Sequence, residues 1–216
     1  MDDQELRKQI LQASFEAGAC HIGSALSCVE IISNLYDNVL KDDDIFLFGK
    51  ASGVATLYVI LAGKGYFPKE KVAEYLKNYP LPSREVPGVI HSFGSLGHAL
   101  PVACGMALGD RNRRVFVLLS DGELDEGSNY EAALFARQNK LTNLFVTIDR
   151  NFYQACGRTK DILDLDTALD FYEKTLPNCE IVNTLKGAGV DFMEGDNSWH
   201  YKNLTLELLK RALEQL

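Results

Sequence analysis

The chain has 216 residues, 46% of them hydrophobic and 24% charged, as in a globular protein with a full core. The formal net charge is −8 and no Lys/Arg-rich run occurs, which argues against nucleic acid or an anionic membrane surface as the main partner. The charged N-terminus and the lack of a long apolar run predict a cytoplasmic protein without a signal peptide or membrane span.

Helical apolar spacing dominates the first half of the chain. Gly18 has the position of a helix C-cap. The predicted elements are, in chain order, a helix from Asp3 to about Gly18, a second helix capped by Ser24 or Ser27, a short strand in DDDIFLFGKAS, a buried helix in GVATLYVILAGKG and a helix from Lys69 to Tyr79.

The second half alternates strands and helices. Apolar runs that do not alternate with polar residues are typical of parallel strands covered on both faces, and their order predicts an α/β fold. No linker or repeat occurs, so 1–216 is interpreted as a single domain. The predicted elements are the loop PLPSREVPG, a glycine loop opening a helix in GSLGHALPVACGMALGD, strands Val115–Leu119 and Leu144–Ile148 around a helix Tyr130–Asn139, a candidate strand Glu180–Leu185 and a final helix Leu204–Leu216.

Asp121 and Asn151 each follow one of the predicted strands. Ligands bind beyond the carboxyl ends of parallel strands, so these two side chains are expected at one edge of the sheet. A carboxylate, an amide oxygen and a backbone carbonyl suit Mg²⁺ or Ca²⁺, and Gly122 lets the backbone approach a diphosphate. On spacing alone, a turn at Asp121 and a loop cap at Asn151 are the alternative interpretation.

Several motifs, in the same order along the chain, resemble the N-terminal part of transketolases. SDGELDEGSNYEAALFA…LFVTIDRN is similar to the family's thiamine-diphosphate motif, in which GDG is followed by Asn after about thirty residues. GACHIGSALSCVEIISNLY, VPGVIHSFGSLGHALPVACGMALG and TLKGAGVDFMEGDNSWHY resemble further family segments, and the likeness extends from about residue 5 to residue 203. It implies a three-layer thiamine-diphosphate-binding fold, with a mainly parallel sheet flanked by helices.

The resemblance also implies roles for individual residues. Asp121, Asn151 and the carbonyl of Tyr153 would be ligands of Mg²⁺ or Ca²⁺. The remaining assignments are Gly122, Gly94, Leu96 and His98 at the cofactor, His21 and His200 at substrate or diphosphate, and Glu126 and Glu131 at the family's dimer interface, linking two active sites. For His98 a helix-capping role is the alternative, and Glu123 and Asp125 are interpreted as solvated charges.

Several positions depart from the family pattern. The family's SKGHA histidine falls on Ser52, another histidine falls near Leu81, and the glutamate of PGVE becomes Ile90, beside a His91 with no assigned role. Lys50 is interpreted as a surface lysine, with a phosphate contact as the alternative. The segment after the Asn151 loop passes almost directly to the next strand, so about one βα unit of the family is expected to be missing.

Three functional interpretations follow. The first is the N-terminal subunit of a transketolase, which moves a two-carbon ketol unit between sugars or sugar phosphates and works with a C-terminal partner subunit, in a homodimer or an α₂β₂ assembly. In the resembled family the glutamate that protonates the cofactor's aminopyrimidine belongs to that partner part. The second is another thiamine-diphosphate enzyme, such as a deoxyxylulose-phosphate-synthase-like or ketoacid-decarboxylating relative. The third is a degenerate transketolase-like scaffold or regulator without catalysis.

Overall fold

The structure, a computed structural model, describes residues 2–216, which divide into two compact units. Unit 1 is formed by the stretch up to Leu40, by Ala51–Ser92 and by Thr184–Leu216, and unit 2 by Lys41–Lys50 and Phe93–Asn183. The assignment of 1–216 to a single diphosphate-binding domain stays a prediction. No helix in residues 2–216 is both long enough and apolar enough to cross a membrane.

Unit 1 is helical, with α1 packed against α4, α5 and α10. The helix α1 ends as predicted, because Gly18 adopts a left-handed φ of 63° and donates its N–H to the last turn. A π-helical turn, Leu35–Val39, follows α3. The helices of this unit are α1 (Asp3–Ala17), α2 (Ile22–Ser27), α3 (Val29–Asn34), α4 (Val54–Gly63), α5 (Val72–Asn78) and α10 (Leu206–Leu213).

The expected serine cap of the second helix is wrong. The helix α2 begins at Ile22, so Ser24 and Ser27 both lie inside it, and α3 begins only after Cys28. The hydroxyl of Ser27 donates to the carbonyl of Ser24 at 3.1 Å, one turn back, which is the usual alternative to capping for a serine within a helix.

Unit 2 contains a four-stranded, entirely parallel sheet in the order β1-β2-β3-β4. This confirms the predicted α/β class, including the strand in the Glu180–Leu185 region. The elements are β1 (Ile45–Phe48), α6 (Ala99–Gly109), β2 (Val115–Ser120), α7 (Gly127–Gln138), β3 (Leu144–Arg150), α8 (Thr159–Ile162), α9 (Asp166–Thr175) and β4 (Cys179–Asn183).

The core of unit 2 lies between the sheet and its helices. The helix α6 packs on β2 and α7, α7 packs on α9, and α9 packs on β4. Val117 and Leu119 of β2 are buried with Val146 and Ile148 of β3 in this core. Because neighbouring parallel strands point the same way, β1, β2 and β3 end at one edge of the sheet, where Lys50, Asp121 and Asn151 follow them.

Candidate active site

The structure brings Asp121 and Asn151 together at the carboxyl ends of β2 and β3. Asp121 opens a short 3₁₀ turn after β2, and Asn151 is the first residue after β3. Asp121 Oδ2 accepts hydrogen bonds from the backbone N–H groups of Asn151 at 2.7 Å and Phe152 at 3.0 Å. The carboxylate therefore fixes the start of the loop that also carries Tyr153.

This loop has an unusual backbone. Phe152 adopts a left-handed φ of 68°, which is rare for a bulky residue and persists only where the surroundings enforce it. The Phe152 N–H is held by Asp121, and its carbonyl accepts from the Thr159 N–H at 3.0 Å. Asn151 Oδ1 accepts from the Tyr153 N–H, also at 3.0 Å. The turn between Asn151 and Tyr153 is thus built by specific hydrogen bonds.

Asp121 is fully buried, and its second oxygen, Oδ1, has no hydrogen-bond partner in the described part of the chain. Burial raises the pKa of Asp121 to about 6, and the charge of Asp149 adds to this rise. The charge of Lys50 and the two backbone N–H groups act in the opposite direction. A buried carboxyl oxygen without a donor is the kind of group that a cation would satisfy.

Lys50 and Asp149 form an ion pair next to this turn. Lys50 Nζ lies 3.0 Å from Asp149 Oδ2, and both side chains are almost completely buried, at 1% and 0% exposure. The interpretation of Lys50 as a surface lysine is therefore wrong. Lys50 is the second residue after β1, and its backbone N–H donates to the Leu118 carbonyl of β2, so the backbone keeps it at the edge of the sheet.

Glu123 is buried, so its interpretation as a solvated charge is also wrong. Its side chain is 1% exposed, and Oε1 accepts from the Gly97 N–H at 2.9 Å. Burial raises the pKa of Glu123 to about 7, although the Gly97 hydrogen bond acts against the rise. Asp125 is half-buried and accepts a hydrogen bond from Gln154.

The expected cofactor loop precedes α6. Gly94 and His98 are exposed, and Leu96 is 37% exposed. A Cβ on Gly122 would lie 3.2 Å from Leu96 Cδ1, so the glycine gives the loop room to approach the Asp121 turn. His98 occupies the N-cap position of α6 but makes no capping hydrogen bond, so the helix-capping alternative is wrong.

The two acids assigned to a dimer interface lie at the start of α7. Glu126 is the half-buried N-cap residue of α7, without a capping hydrogen bond from its side chain, and Glu131 is exposed on the helix. Leu134 and Phe135 of the same helix are 53% and 43% exposed. The outer side of α7 therefore presents apolar side chains beside an acid.

His21 and His200 meet within unit 1. Their ring centroids lie 4.7 Å apart, and the His21 N–H donates to the His200 carbonyl at 3.0 Å. His21 has a left-handed φ of 64° just before α2. Burial lowers the pKa of His21, and the charge of Lys186 lowers it further. The neutral imidazole is thus favoured at this position.

Lys186 completes this cluster and was missed by the sequence reasoning. Its side chain is 1% exposed, Nζ donates to Asn197 Oδ1 at 2.6 Å, and Nζ lies 3.4 Å from His200 Nδ1. The signal was present, because Lys186 and His200 both belong to the segment TLKGAGVDFMEGDNSWHY that carries the family resemblance. A buried cation beside two histidines is suited to an anionic group.

The positions that depart from the family pattern have distinct surroundings. Ser52, in place of the family histidine, lies in the 3₁₀ turn Ala51–Gly53. His91 is buried, and burial lowers its pKa to about 4. Ile90 and Leu81 are 44% and 37% exposed. In residues 2–216, no group of three or more His, Cys, Asp or Glu side chains is arranged to hold a metal ion.

Comparison with known proteins gives the fold its class. The structure superposes on transketolase from Leishmania mexicana with a TM-score of 0.85, at 20% identity, over 98% of this chain and 41% of that one. At this identity the likeness shows the fold, which is the thiamine-diphosphate-binding fold of transketolase. The chain spans less than half the length of that transketolase.

Sequence relatives add the family. An apulose-4-phosphate transketolase subunit from Actinobacillus succinogenes is 37% identical over 96% of this chain and 91% of its own. The 6-deoxy-6-sulfo-D-fructose transketolase subunit SqwG from a Clostridium species is 31% identical over 98% of this chain and 93% of its own. A family model described as 1-deoxy-D-xylulose-5-phosphate synthase matches residues 3–192. The chain therefore belongs to the transketolase family, where it resembles the N-terminal subunits of transketolases divided into two polypeptides.

The alignment with the Actinobacillus protein extends over 252 positions, more than the 216 residues of this chain. Some of that relative therefore has no counterpart here, in line with the expectation of a shortened fold.

Proposed function

We propose that this protein is the N-terminal subunit of a cytoplasmic transketolase that binds thiamine diphosphate through a divalent cation. The observation that carries the proposal is the buried Asp121 carboxyl group, whose Oδ1 has no partner within residues 2–216 while Oδ2 fixes the Asn151 loop. A cation bound at Oδ1 would satisfy this oxygen and attract the diphosphate of the cofactor.

The residues at this turn fit such a cation. Asp121 supplies the carboxylate, Asn151 the amide oxygen and Tyr153 the backbone carbonyl, an all-oxygen set suited to Mg²⁺, with Ca²⁺ as the alternative. The single carboxylate in this set fits an ion that completes its shell with phosphate oxygens and water. The absence of a side chain at Gly122 lets Leu96 pack closely against the Asp121 turn.

Bound thiamine diphosphate would supply the carbanion chemistry that moves a two-carbon ketol unit from a ketose to an aldose. The chain's own residues bind and orient the cofactor: Gly94, Leu96 and Gly122 at its ring side, His98 as a donor to phosphate. In unit 1, Lys186, His21 and His200 provide a positive and hydrogen-bonding cluster suited to an anionic group of a ligand.

A C-terminal partner subunit belongs to the proposal. Relatives that match nearly their full length with this chain are named as transketolase subunits, one for apulose-4-phosphate and one for 6-deoxy-6-sulfo-D-fructose. We therefore expect a sugar or sugar phosphate as substrate and a homodimer or α₂β₂ assembly. In that assembly Glu126 and Glu131 would lie at a two-fold interface and link the active sites.

The test is isothermal titration calorimetry of the chain with thiamine diphosphate, alone and with the partner subunit, in Mg²⁺ and in EDTA. Binding that requires Mg²⁺ is expected. Absence of binding under every condition would contradict the proposal and favour a non-catalytic, transketolase-like scaffold. That second candidate is supported by Ser52 at the position of a family histidine and by the aligned positions that this chain lacks.

A further inference from the structure

Gly97 is held from both sides by residues that follow Asp121. Its N–H donates to Glu123 Oε1 at 2.9 Å, and its carbonyl accepts from Ser128 Oγ at 2.7 Å. Glu123 belongs to the turn that Asp121 opens, and Ser128 belongs to the first turn of α7. Both hydrogen-bonding groups of one loop residue are thus fixed by the segment that carries the proposed metal ligand.

We call the two hydrogen bonds that Gly97 makes with Glu123 and Ser128 the Gly97 clamp, and its backbone geometry is tightly restricted. Gly97 adopts a φ of 80°, and a Cβ there would clash with Ser128 Oγ and Glu126 Cβ, so the close approach requires glycine. A Cβ on Gly49 would clash with Glu123 Oε2, which shows that the carboxyl group fills the space beside Gly49. Glu123 is therefore confined by its neighbours to the position in which it meets Gly97.

The first turn of α7 also supports Glu123. Asn129 is fully buried, and its Nδ2 donates to the Glu123 carbonyl at 2.8 Å. The clamp also restrains Leu96, the residue before Gly97. Leu96 Cδ1 lies 3.2 Å from the position that a Cβ on Gly122 would have. Fixing Gly97 therefore fixes where Leu96 lies relative to the Asp121-Gly122 turn.

We propose that Glu123 and Ser128 are positioning residues, which clamp Gly97 and so hold Leu96 beside Gly122 in the arrangement that receives the cofactor. The inference rests on the proposed function, because the cofactor that the loop receives is the thiamine diphosphate proposed above. Glu123 is neither a proposed metal ligand nor one of the two proposed interface acids, and the clamp gives this buried acid a role. Neither residue contacts the cofactor itself, and both act through the Gly94–Gly97 loop.

The experiment compares Glu123→Ala, Glu123→Gln, Ser128→Ala and the control Glu173→Gln, an exposed glutamate of α9. Hydrogen exchange of the amides of residues 93–98 is measured in the full chain without cofactor, and calorimetry measures thiamine diphosphate binding in Mg²⁺. Loss of one clamp hydrogen bond is expected to raise the exchange rate of the loop amides about tenfold and to weaken thiamine diphosphate binding about tenfold. Glu123→Gln keeps an accepting oxygen and should restore both to within about threefold of wild type, by the same hydrogen-bond reasoning.

Unchanged loop exchange in both alanine variants, or Glu123→Gln exchanging as fast as Glu123→Ala, would overturn the inference. If Glu123→Ala does not fold by circular dichroism, Ser128→Ala decides, since it leaves the buried acid in place. A wild type that never binds thiamine diphosphate would overturn the proposed function and, with it, the assignment of this clamp to the cofactor. Faster exchange with wild-type cofactor affinity would overturn the positioning role alone.

Discussion

Asp121 combines full burial with one carboxyl oxygen that receives no hydrogen bond in the described residues. Burial disfavours the ionised form, whereas a bound cation requires it. Asp121→Asn keeps an oxygen that can accept from Asn151 and Phe152 but removes the charge. We expect it to weaken Mg²⁺-dependent thiamine diphosphate binding by more than about 100-fold, since even groups that only support a metal ligand cost roughly 10–100-fold. Calorimetry measures the affinity.

The matched control for this prediction is Asp161→Asn, an exposed aspartate of α8 in the same unit. It should bind the cofactor like wild type. Thermal unfolding without cofactor should show that Asp121→Asn is at least as stable as wild type, because the variant no longer buries an ionisable group. Tight, Mg²⁺-dependent binding by Asp121→Asn would remove Asp121 from the ligand set.

His91 predicts a pH dependence of stability. Burial lowers its pKa to about 4 from an unfolded value of 6.5, so the unfolded chain binds the proton more readily. The stability that this group contributes is therefore present above pH 6.5 and is lost as the pH falls toward 4. Between about pH 7 and pH 5 the loss amounts to roughly 2 kcal/mol.

The measurement is urea unfolding at both pH values for wild type and for His91→Gln, which cannot gain a proton. The wild type should lose more stability on acidification than the variant does. Equal losses in the two proteins would show that His91 is not the group responsible.

At the scale of elements, α7 predicts how copies of the chain associate. Leu134 is 53% exposed on α7, next to Phe135 at 43%. If this helix lies at a two-fold interface, Leu134→Asp should weaken self-association by at least about tenfold, since apolar side chains at an interface centre dominate its energy. Sedimentation velocity, with and without the partner subunit, measures the effect.

Leu206→Asp is the matched control, since Leu206 is a leucine of α10 with 54% exposure. Aspartate is also favourable at the first position of a helix, so this variant should fold and associate normally. Dissociation caused by both variants, or by neither, would refute an interface at α7.

The elements themselves were largely predictable, because burial on both faces leaves continuous apolar runs in parallel strands. The runs at Val115 and Leu144 predicted β2 and β3, and the polar residues that follow them meet as expected. The helix α9 was missed although its buried Ala168, Leu169 and Tyr172 have helical spacing. Caps depend on local backbone geometry, which is why Ser24 and Ser27 were misassigned.

Side-chain burial was harder to predict, since it depends on contacts between distant parts of the chain. Glu123 lies in an acidic run typical of a solvated surface. It is nevertheless buried, because its side chain accepts a hydrogen bond from the Gly97 N–H and packs against Gly49. Lysine is usually exposed at the protein surface, but Lys50 is buried because Asp149, which lies on a non-adjacent strand, pairs with it. Neither partner is marked in the sequence as belonging to the same site.

At the scale of the whole molecule, the chain is expected to depend on a partner for catalysis. It matches only 41% of the transketolase from Leishmania mexicana, whereas the Actinobacillus transketolase subunit matches it nearly end to end. Three carboxylates near Asp121 each use one oxygen in a local contact: Asp149 Oδ2 pairs with Lys50, Glu123 Oε1 accepts from Gly97 and Asp125 Oδ2 accepts from Gln154. In the resembled family the acid that serves the cofactor's aminopyrimidine belongs to the C-terminal part, and we expect it on the partner here.

The purified chain, supplied with Mg²⁺ and thiamine diphosphate, should therefore show no ketol transfer, even where calorimetry shows the cofactor bound. Adding a C-terminal transketolase subunit should produce activity, and an α₂β₂ assembly should form at the same time in sedimentation experiments. Because Ser52 stands where the family has a histidine, the reconstituted rate is expected to be low, and Ser52→His should raise it by about tenfold or more if that side chain assists the reaction by proton transfer or hydrogen bonding. The coupled assay uses a ketose donor and an aldose acceptor, with Asp121→Asn as the inactive control. Robust turnover by the isolated chain would contradict the two-subunit account, since the missing acid would then have to lie within this chain.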